Sequence, residues 1–518
     1  MIAALLLLSF QHDPETQLKA FQPHAGCEVN LFASEKDGIA NPIQCRWDER
    51  GRLWVICSWA YPQLKPGEAP DDQVVVLEDT DGDGRSDKST IFARGLLMPM
   101  GIELGDGGVY VGTSTELLHF RDVDGDLRAD ERRVVLNGFG TGDSHQNINN
   151  FRWSPGGELW FCQGLHAYSR VETPWGVERL DGAGVWRFHP KRMRLDPFLH
   201  GSMGAHNPWG LDFDDWGQPI MAAGNGHGIY HMVPGMIRAE HFQTFPHIFR
   251  TGRKFASMEF IGSSHWPDDW QGTFIAGGFM NNVVNRFALT EQGASFAVRE
   301  LEPLLRSTHV SFRPVDCTVG PDGAVYVADW YNPIIGHYQT SFRHPDRDVL
   351  HGRIWRVTMK GRPRVTPPAL ASMSTPQLVE QLASPERWVR RHAQRLIADR
   401  PAAEVADAVR GWKVDDERAK VLALAALESV EVVDEARLKD LLAARDARGR
   451  AYAARVVGRW QDRLQDPLAL LEKAVEDDHP RVRLEAVVAA SYVPSARAAE
   501  LVARAADRPM DVFLAYAF

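Results

Sequence analysis

Residues 312–332, FRPVDCTVGPDGAVYVADWYN, combine a tight turn, a short strand and a polar end. In the turn, Pro321-Asp322-Gly323, proline fixes one backbone dihedral angle and glycine lets the chain reverse. Residues 324–328, AVYVA, have the β-branched and aromatic side chains typical of a half-buried strand. Four polar and aromatic residues end the stretch: Asp329, Trp330, Tyr331 and Asn332. This order of turn, strand and polar end recurs along the chain.

The turn-and-strand pattern occurs six times, and its spacing predicts the fold. An aromatic or aliphatic signature residue follows each turn: Trp54, Tyr110, Trp160, Ile220, Phe274 and Tyr326. The intervals between them are 56, 50, 60, 54 and 52 residues. Units of about this length that contain short strands are typical of propeller blades. We therefore predict a six-bladed β-propeller over residues 20–360, with a β-sandwich of many hairpins as the alternative.

The pattern changes after residues 361–372, which begin with GRPRVTPP and have the composition of a stiff linker. Beyond them a basic residue recurs at Arg390, Lys420, Arg450 and Arg483, at intervals of 30, 30 and 33 residues. Small and apolar residues follow three and seven positions later, as in stacked helix pairs. We predict an all-α, HEAT-like solenoid over residues 373–518, with a plain helical bundle as the alternative. The final AYAF is not the polar cap that a solenoid needs, which favours a truncated chain or a partner at this end.

Composition limits the class of function. A chain of 518 residues is expected to form at least two domains. A net charge of −10 and a pI near 6.0 argue against a nucleic-acid partner, because such proteins carry basic surfaces. The five cysteines include no CxxC or CxxCH motif, so this sequence contains no attachment site for a covalent haem. A disulfide between Cys45 and Cys57 would require an oxidising compartment.

The N-terminal residues resemble an export signal. Residues 1–10, MIAALLLLSF, have the length of the apolar part of a signal peptide. Ten residues are too few to cross a bilayer as a helix. We therefore set residues 1–19 apart as a leader and expect a periplasmic or extracellular protein. A buried N-terminal strand or a wrongly assigned start is the alternative.

Two acidic loops follow a calcium-binding pattern. Residues 79–87, DTDGDGRSD, place Asp79, Asp81, Asp83 and Asp87 at loop positions 1, 3, 5 and 9, with glycine at position 6. Hard oxygen ligands at this spacing can surround Ca²⁺, although position 12 is Thr90, where the complete motif has a glutamate. Residues 122–130, DVDGDLRAD, repeat the pattern without the glycine. An Asp-Gly turn is the alternative for the first loop and is favoured for the second.

Two segments rich in histidine and asparagine stand just before blade turns. Residues 143–152, DSHQNINNFR, precede the third turn, and residues 204–211, GAHNPWGL, precede the fourth. In a propeller, loops in this position gather at one end of the central channel. Each residue alone is more often an ordinary loop residue, but the shared placement predicts a site. Four side chains are predicted to converge there: His145, Asn149, His206 and Asn207.

Five phrases resemble a family of large bacterial proteins labelled membrane-bound dehydrogenases. These are WDERGRLWV (47–55), DTDGDGRSDK (79–88), NNFRWSPGGELW (149–160), FRPVDCTVGPDGAVYVADWYN (312–332) and RDVLHGRIWRV (347–357). That family has HEAT-like repeats after a propeller, and its longer members end in a c-type cytochrome domain. More distantly, the propeller is similar to the soluble glucose and sorbosone dehydrogenases, which bind pyrroloquinoline quinone (PQQ) and calcium. The resemblance implies PQQ and Ca²⁺ as cofactors and a cytochrome c as electron acceptor.

The resemblance also implies catalytic roles. Residues 144–147, SHQN, match the catalytic His-Asn segment of those dehydrogenases, so His145 is expected to be the general base. His206 stands where they have an arginine, and with Asn207 it would position substrate or cofactor. The carboxylate that orients the base in those enzymes has no counterpart near Gln163.

The central stretch supplies the remaining candidates. Arg313 would face the carboxylates of the quinone, with which a guanidinium forms paired hydrogen bonds. Asp316 and Asp329 would bind calcium or orient Arg313, and a salt bridge between Arg313 and Asp316 is the alternative. Trp330 and Asn332 would complete the binding site.

Together these features predict an exported, quinone-dependent dehydrogenase that oxidises a sugar or a related alcohol. One alternative is a non-enzymatic module that binds carbohydrate or protein, with the helical repeats as the protein-binding part. The other is a calcium-dependent, lactonase-like hydrolase, for which the predicted loops supply few carboxylates.

Overall fold

The computed structural model describes residues 12–142, 144, 147–200, 207–233, 246–336 and 340–518. Within these residues the chain forms six β-sheets arranged as blades around a common axis, followed by an all-α region. The six-bladed propeller and the all-α C-terminal part predicted from the sequence are confirmed.

Two short strands, β1 (Phe21–Pro23) and β2 (Cys27–Ala33), precede the first blade. Blade 1 contains β3 (Pro42–Trp47), β4 (Leu53–Cys57), β5 (Asp72–Glu78) and β6 (Lys88–Leu96). Blade 2 contains β7 (Gly101–Gly105), β8 (Gly108–Gly112), β9 (Glu116–Arg121) and β10 (Glu131–Asn137). Blade 3 contains β11 (Asn149–Trp153), β12 (Leu159–Gln163), β15 (Gly184–His189) and β16 (Arg194–His200), with an inserted hairpin of β13 (Tyr168–Thr173) and β14 (Gly176–Asp181).

The second half of the ring is built in the same way. The described strands of blade 4 are β17 (Pro208–Phe213), β18 (Pro219–Ala223) and β19 (Ile229–His231). Blade 5 contains β20 (Ala256–Phe260), β21 (Phe274–Gly278), β22 (Val283–Gln292) and β23 (Ser295–Ser307), to which β1 adds a fifth strand. Blade 6 contains β24 (Pro314–Val319), β25 (Val325–Asp329) and β26 (Arg353–Met359), and β2 is its outer strand. Because β2 comes from the start of the propeller and β26 from its end, their pairing closes the ring.

The first strand of each blade faces the axis. These six strands contact one another in the order β3, β7, β11, β17, β20, β24 and back to β3. The turns that leave them lie at one end of the axis, called here the lower end, and the loops that lead into them form the other end, called the mouth. In the turn of the central stretch, Gly323 has φ 82°, and a Cβ there would lie 2.4 Å from Ser263 Oγ. Glycine is therefore required at that turn.

The helices in the described ranges are short, and all but one of them follow the propeller. Helix α1 (Pro14–Lys19) precedes it. The others are α2 (Thr375–Gln381), α3 (Arg387–Ala398), α4 (Ala402–Gly411), α5 (Glu417–Ser429), α6 (Glu435–Leu442), α7 (Ala447–Arg459), α8 (Pro467–Leu471), α9 (Pro480–Ser491), α10 (Ala496–Ala503) and α11 (Val512–Ala517).

The repeated basic residues of the helical region share a structural role. Arg390, Arg450 and Arg483 each donate from Nη1 to the main-chain carbonyls five and six residues earlier, at 2.6–3.1 Å. Each guanidinium thereby holds the turn that precedes its own helix, where carbonyls would otherwise lack donors. Lys420 instead contacts Asp440 Oδ2 at 3.3 Å. The sequence period of about 30 residues therefore reflects a repeated turn, which an arginine stabilises in the same way in three repeats.

Helix α3 lies across the lower end of the propeller and contacts several blades. A ring nitrogen of His392 lies 3.0 Å from the carbonyl oxygen of Trp47 in blade 1. Arg395 lies 3.3 Å from a carboxylate oxygen of Asp106 in blade 2. The same guanidinium stacks over the Trp153 ring of blade 3, with its carbon 3.6 Å from the ring centroid. These contacts make α3 a plug for the channel.

Charged groups from α3 also enter the channel. Arg391 contacts Asp212 of blade 4, and it contacts Glu259 of blade 5 at 3.0 Å. Arg152 of blade 3 also pairs with Glu259. The side chain of Asp212 is fully buried and that of Glu259 is 4% exposed, so both carboxylates depend on protein partners. Although burial opposes ionisation, Arg391 and Arg387 hold the pKa of Asp212 below its usual value.

The later helices also lie against the lower face. Arg459 of α7 donates to Glu158 of blade 3 at 2.7 Å. Gln218 of blade 4 donates to Glu485 of α9 at 3.2 Å. In blade 5 the backbone N–H of Ala294 donates to the carboxylate that caps α11. The helical region thus covers the lower face, and the mouth lies at the opposite end.

The residues just before β1 pack into the propeller. Gln17 of α1 is fully buried; it donates to Asp329 Oδ2 at 2.6 Å and accepts a hydrogen bond from Arg353. The range 1–19, which the sequence set apart as a leader, therefore includes a helix that belongs to blade 6.

The five cysteines are free and buried, so Cys45 and Cys57 are not joined. They lie on neighbouring strands, but Cys45 pairs across the sheet with Val55 and Cys57 with Pro42. Burial raises the pKa of the Cys57 thiol to about 12, so it stays protonated at neutral pH. Within the described part of the chain, no helix is long and apolar enough to cross a membrane.

Replacing Arg391 tests the plug. We predict that Arg391→Met lowers the free energy of unfolding by about 3–5 kcal/mol, because two buried carboxylates lose a partner. Urea denaturation followed by tryptophan fluorescence measures this change. The matched control is Arg410→Met. The side chains of Arg410 and its partner Asp407 are 71% and 74% exposed, so this ion pair contributes little to stability. Equal stability of the two variants would contradict the structural role of Arg391.

The pH dependence of stability tests the contact between Glu158 and α7. Burial opposes ionisation of Glu158, but Arg459 and Arg187 lower its pKa to about 2. A pKa below the ~4.3 of an unfolded glutamate stabilises the fold above that pH, and the stabilisation is lost as pH falls. We predict that the free energy of unfolding of wild type exceeds that of Glu158→Gln by roughly 3 kcal/mol near neutral pH.

The difference should shrink between about pH 4.3 and the folded-state pKa of about 2. Urea unfolding of both proteins at a series of pH values gives the comparison directly. A difference that does not change with pH would show that the charge of this carboxylate does not stabilise the interface.

Candidate functional site

The mouth is built from irregular strand starts. Five inner strands have a register shift near their first residues, at Pro42/Gln44, Asn149/Arg152, Pro208/Gly210, Ala256/Glu259 and Pro314/Asp316. Such β-bulges redirect side chains and are common beside active sites. Asn150, Asn207 and Ser257 have φ values of 52°, 125° and 60°, which are strained for residues other than glycine. The mouth is therefore a candidate functional site.

Four buried amide oxygens at the mouth receive no hydrogen bond from any described residue: those of Asn41, Asn147, Asn149 and Asn207. Asn147 and Asn149 lie at the start of blade 3, and Asn207 lies at the start of the neighbouring blade 4. The Asn149 amide nitrogen donates to the carbonyl of Asn147 at 2.9 Å, which orients it within the loop. A buried acceptor without a partner costs about 1–3 kcal/mol and is rare in native proteins. These oxygens are suited to a cation or to a ligand that donates hydrogen bonds.

His145 and His206, the predicted catalytic residues, lie outside the described residues. Their described neighbours, Asn147 and Asn207, are both at the mouth. The convergence of the two imidazoles in one site stays a prediction.

Arg313 organises the loops behind the mouth. Nε donates to Asn332 O at 2.8 Å, and the terminal nitrogens donate to Phe279 O and Pro333 O at 3.0 and 3.2 Å. Arg313 is only 7% exposed, and burial lowers its pKa to about 10 in spite of Asp329 nearby. The guanidinium that was predicted to face a quinone is thus engaged by main-chain carbonyls.

Asp316 lies inside the channel and does not pair with Arg313. Its Oδ2 accepts hydrogen bonds from Arg46 Nη1 and from the backbone N–H of Cys45, both at 2.9 Å. Arg46 also contacts Glu103 at 3.2 Å. The salt bridge between Arg313 and Asp316, considered as an alternative from the sequence, is therefore not formed.

Asp329 is a buried junction within blade 6. Its Oδ1 accepts the backbone N–H groups of Arg313 and Tyr331 at 2.8 and 3.0 Å. Its Oδ2 accepts hydrogen bonds from Gln17 and from the Trp355 indole at 2.6 and 3.1 Å. Burial raises its pKa. All four partners are protein groups, so the structure assigns Asp329 to the scaffold behind the mouth.

Trp330 and Asn332 adjoin a groove of about 650 Å³ on the mouth side of blades 1 and 6. Residues 59–73 form one wall, and residues 342–349 contribute the other. Trp330 is 6% exposed and packs edge-on against the groove residue Tyr61, with the ring centroids 5.3 Å apart. The Asn332 amide donates to the carbonyl of Asp348 at 2.9 Å and fixes the second wall. Both predicted site residues thus support the groove from behind.

The sequence analysis missed the charges inside the channel. In four blades a charged residue pairs across the sheet with the signature residue: Arg46 with Trp54, Glu103 with Tyr110, Arg152 with Trp160 and Asp212 with Ile220. These charges therefore lie at one level along the axis. A charged residue seven or eight positions before a signature residue, inside an apolar strand, was the signal available in the sequence.

The acidic loops lie at the outer edges of blades 1 and 2. Asp79, Asp81 and Asp87 have carboxylate oxygens within 4.8 Å of one another, whereas Asp83 is not in this group. Asp79 also accepts the backbone N–H groups of Gly82, Asp83 and Gly84 at 2.8–3.2 Å. The second loop has an equivalent group of Asp122, Asp124 and Asp130, although the sequence favoured a plain turn there. Each of the two loops therefore places three carboxylates where they could bind one cation.

The comparisons with known proteins concern mainly the propeller. A model of the family described as "Domain of unknown function (DUF7133)" matches residues 13–361. No curated protein matches the chain significantly. An oxidoreductase from Thermus thermophilus described as a glucose dehydrogenase has a TM-score of 0.45 and 17% identity, and the match covers 64% of this chain and 100% of that one.

Two aldose sugar dehydrogenases give similar values. The apo form of the soluble Escherichia coli enzyme has a TM-score of 0.44 and 13% identity, with 64% of this chain and 100% of that chain covered. The PQQ-bound enzyme from Streptomyces coelicolor has a TM-score of 0.44 and 13% identity, with 65% and 99% covered.

Calorimetry with Ca²⁺ tests the first acidic loop. We predict weak binding, because the carboxylates attract the ion but the loop lacks a position-12 glutamate. Asp81→Ala should remove one weak site, and Asp124→Ala at the equivalent position of the second loop serves as the matched comparison. If wild type and Asp81→Ala bind the same number of ions with equal affinity, the first loop is only a turn.

Proposed function

The chain belongs to the DUF7133 family, and we propose that its propeller is a quinone-dependent dehydrogenase that oxidises a hydroxyl group of a sugar or a related alcohol. The observation that carries this proposal is the set of unpartnered amide oxygens of Asn147, Asn149 and Asn207 at the mouth. Hydroxyl groups of a sugar donate hydrogen bonds, and a calcium ion accepts neutral oxygen ligands. Either partner would satisfy acceptors to which no described residue donates.

The described residues fit a cofactor at the mouth only in part. Asn149 and Asn207 fit, because no residue in the described ranges donates to their amide oxygens. Arg313 and Asp329 are engaged by protein groups and are left out of the cofactor site in this proposal. Asp316 pairs with Arg46 through Oδ2, but no described residue donates to its Oδ1. When bound, the quinone supplies the hydride acceptor.

The residues of this chain would bind the substrate and remove its proton. His145 is the proposed base, since a neutral imidazole with a pKa near ~6.5 accepts a proton from a hydroxyl at neutral pH. His206 and Asn207 would hold the substrate, with His206 at the position that the similar dehydrogenases fill with arginine. A positive charge on His206 would lower the pKa of His145 and keep it neutral. His145 could then act as a base without an orienting carboxylate.

The groove supports a sugar as the substrate class. Trp59 and Tyr61 line its blade 1 wall, and Phe342 lines the wall from blade 6. Aromatic faces pack against the apolar faces of sugar rings, while nearby polar groups bind hydroxyls. Asp71 also lines the groove, where its carboxylate is held by Arg94 Nε at 2.9 Å.

The proposal places the protein outside the cytoplasm, with a cytochrome c as electron acceptor. The apolar residues 1–10 support export. The electrons would leave through the mouth, because the helical region covers the lower face. A HEAT-like role for the helices in binding a protein partner is part of the same proposal, on the surfaces that face away from the propeller.

Replacing His145 tests the enzymatic proposal. The purified protein, supplied with PQQ and Ca²⁺, should reduce an artificial electron acceptor when aldose sugars are added. Because a general base contributes roughly 10² to 10⁴ in rate, His145→Ala should lose that factor with an unchanged melting temperature. His24→Ala is the control, because His24 lies at the lower end of the propeller, away from the mouth. Its neighbour Cys27 pairs across the sheet with Met359, the last residue of β26, at that end.

An active wild type with an equally active His145→Ala would remove His145 from the mechanism. A wild type that binds sugars but reduces no acceptor would favour the alternative of a non-enzymatic binding module.

A further inference from the structure

Three residues from two distant parts of the chain meet on the mouth side of blade 6. His12 precedes α1, while Asp348 and His351 belong to the loop between β25 and β26. His351 Nδ1 lies 2.7 Å and His12 Nδ1 lies 3.8 Å from the same oxygen, Asp348 Oδ2. One potential ligand atom from each residue lies within 4.8 Å of the other two. We propose that His12, Asp348 and His351 form a binding site for a zinc-like divalent cation.

The two imidazoles lie face to face beside one carboxylate. Their rings are stacked, with centroids 4.5 Å apart and planes 6° from parallel. Two protonated rings at this distance would repel each other. A divalent cation bound to both rings and to the carboxylate would let both imidazoles stay neutral, because neutral imidazole nitrogen and carboxylate oxygen are both zinc ligands. Since a ring nitrogen binds a metal in the plane of its ring, one ring must turn out of the stack for both to bind one ion.

Asp348 is held in position to act as a ligand. Its Oδ1 accepts the backbone N–H groups of Leu350 and His351, both at 2.9 Å. These bonds leave Oδ2 directed at the two imidazoles. Outer hydrogen bonds of this kind fix ligand geometry in metal sites. Asp348 is therefore oriented before any ion binds.

The surroundings hold His12 in place. Arg353 donates to the carbonyl of His12, and its guanidinium carbon lies 4.2 Å from the centre of the Tyr331 ring. The Tyr331 hydroxyl lies 3.2 Å from His12 Nδ1, so this contact is given up when that nitrogen binds an ion. The Arg353 charge, which opposes a second cation nearby, is offset by Glu35, 3.5 Å away.

The ligand set points to zinc rather than calcium or magnesium. Two imidazoles and one carboxylate suit Zn²⁺, whereas Ca²⁺ and Mg²⁺ prefer oxygen ligands alone. Zinc bonds of about 2.0–2.2 Å in a tetrahedron separate ligand atoms by about 3.4 Å. The distances of 2.7 and 3.8 Å from Asp348 Oδ2 bracket that value, so these atoms have the spacing of a zinc site, and rotation of one imidazole out of the stack would direct both nitrogens at the ion. The fourth position would hold water, since His12 is 37% exposed.

The inferred ion would fasten the segment before α1 to the loop that forms one wall of the groove. This function is structural and does not depend on the proposed dehydrogenase activity. Its effect on stability follows from linkage, because a ligand that binds only the folded state raises the melting temperature.

The test measures Zn²⁺ binding by the full-length protein after chelator treatment and dialysis. Calorimetry with Zn²⁺ alone gives the number of sites in wild type, His12→Ala, His351→Ala and His344→Ala. His344→Ala is the matched control, because its Nδ1 lies 3.8 Å from Asp346 on the same loop but does not belong to the three-residue group. Circular dichroism of each metal-free variant confirms that it is folded.

We expect wild type and His344→Ala to bind one Zn²⁺ more than His12→Ala and His351→Ala. Zn²⁺ should raise the melting temperature of the first two proteins more than that of the other two. Co²⁺ in wild type should show the visible absorption of a tetrahedral site, and His12→Ala should lack it. No Zn²⁺ binding by wild type, or equal binding by wild type and both histidine variants, would overturn the proposal.

Discussion

The contacts of the α3 arginines with buried carboxylates at the end of the channel are the constraint on which the rest of the structure depends. Strands β17 and β20 carry Asp212 and Glu259 into the channel, where both side chains are buried. An ionised carboxylate in such a place destabilises a fold unless cations are close. Arg391 belongs to a helix outside the ring, so the helical region supplies the cation that these buried carboxylates of the propeller need.

This constraint gives the molecule two different ends. At the lower end, guanidinium groups, stacked rings and helix surfaces cover the turns between the first and second strands. At the mouth, the strand starts are bulged, several asparagine oxygens have no donor among the described residues, and a groove remains open. A fold tolerates unsatisfied polar groups and strained backbone where a ligand compensates for them. We therefore propose the mouth as the functional end.

The blade count and the helical period could be read from the sequence because each repeats a local structure. The turn around Gly323 needs the same residue types wherever it occurs, and Arg390 and Arg450 hold equivalent turns. The contacts between the propeller and the helical region could not be predicted in this way. Arg391 and Asp212 are 179 positions apart, and no local pattern connects them.

The candidate site was predicted less completely than the fold. Asn149 and Asn207 lie at the mouth, as their placement before blade turns indicated. Arg313 was chosen because a guanidinium pairs with the carboxylates of a quinone, and Asp316 was chosen as a calcium ligand or as a partner that orients Arg313. A charged residue that binds main-chain carbonyls or a neighbouring strand has the same local sequence as one that binds a ligand. Only the three-dimensional contacts distinguish the two roles.

Hydrogen exchange of the backbone amides, with and without PQQ and Ca²⁺, tests most directly the claim that the mouth is the functional end. The account predicts slower exchange in residues 138–153 and 201–213, which lead into blades 3 and 4. Exchange in α3 and the lower turns should not change. Protection confined to the lower face, or no protection anywhere, would contradict the account.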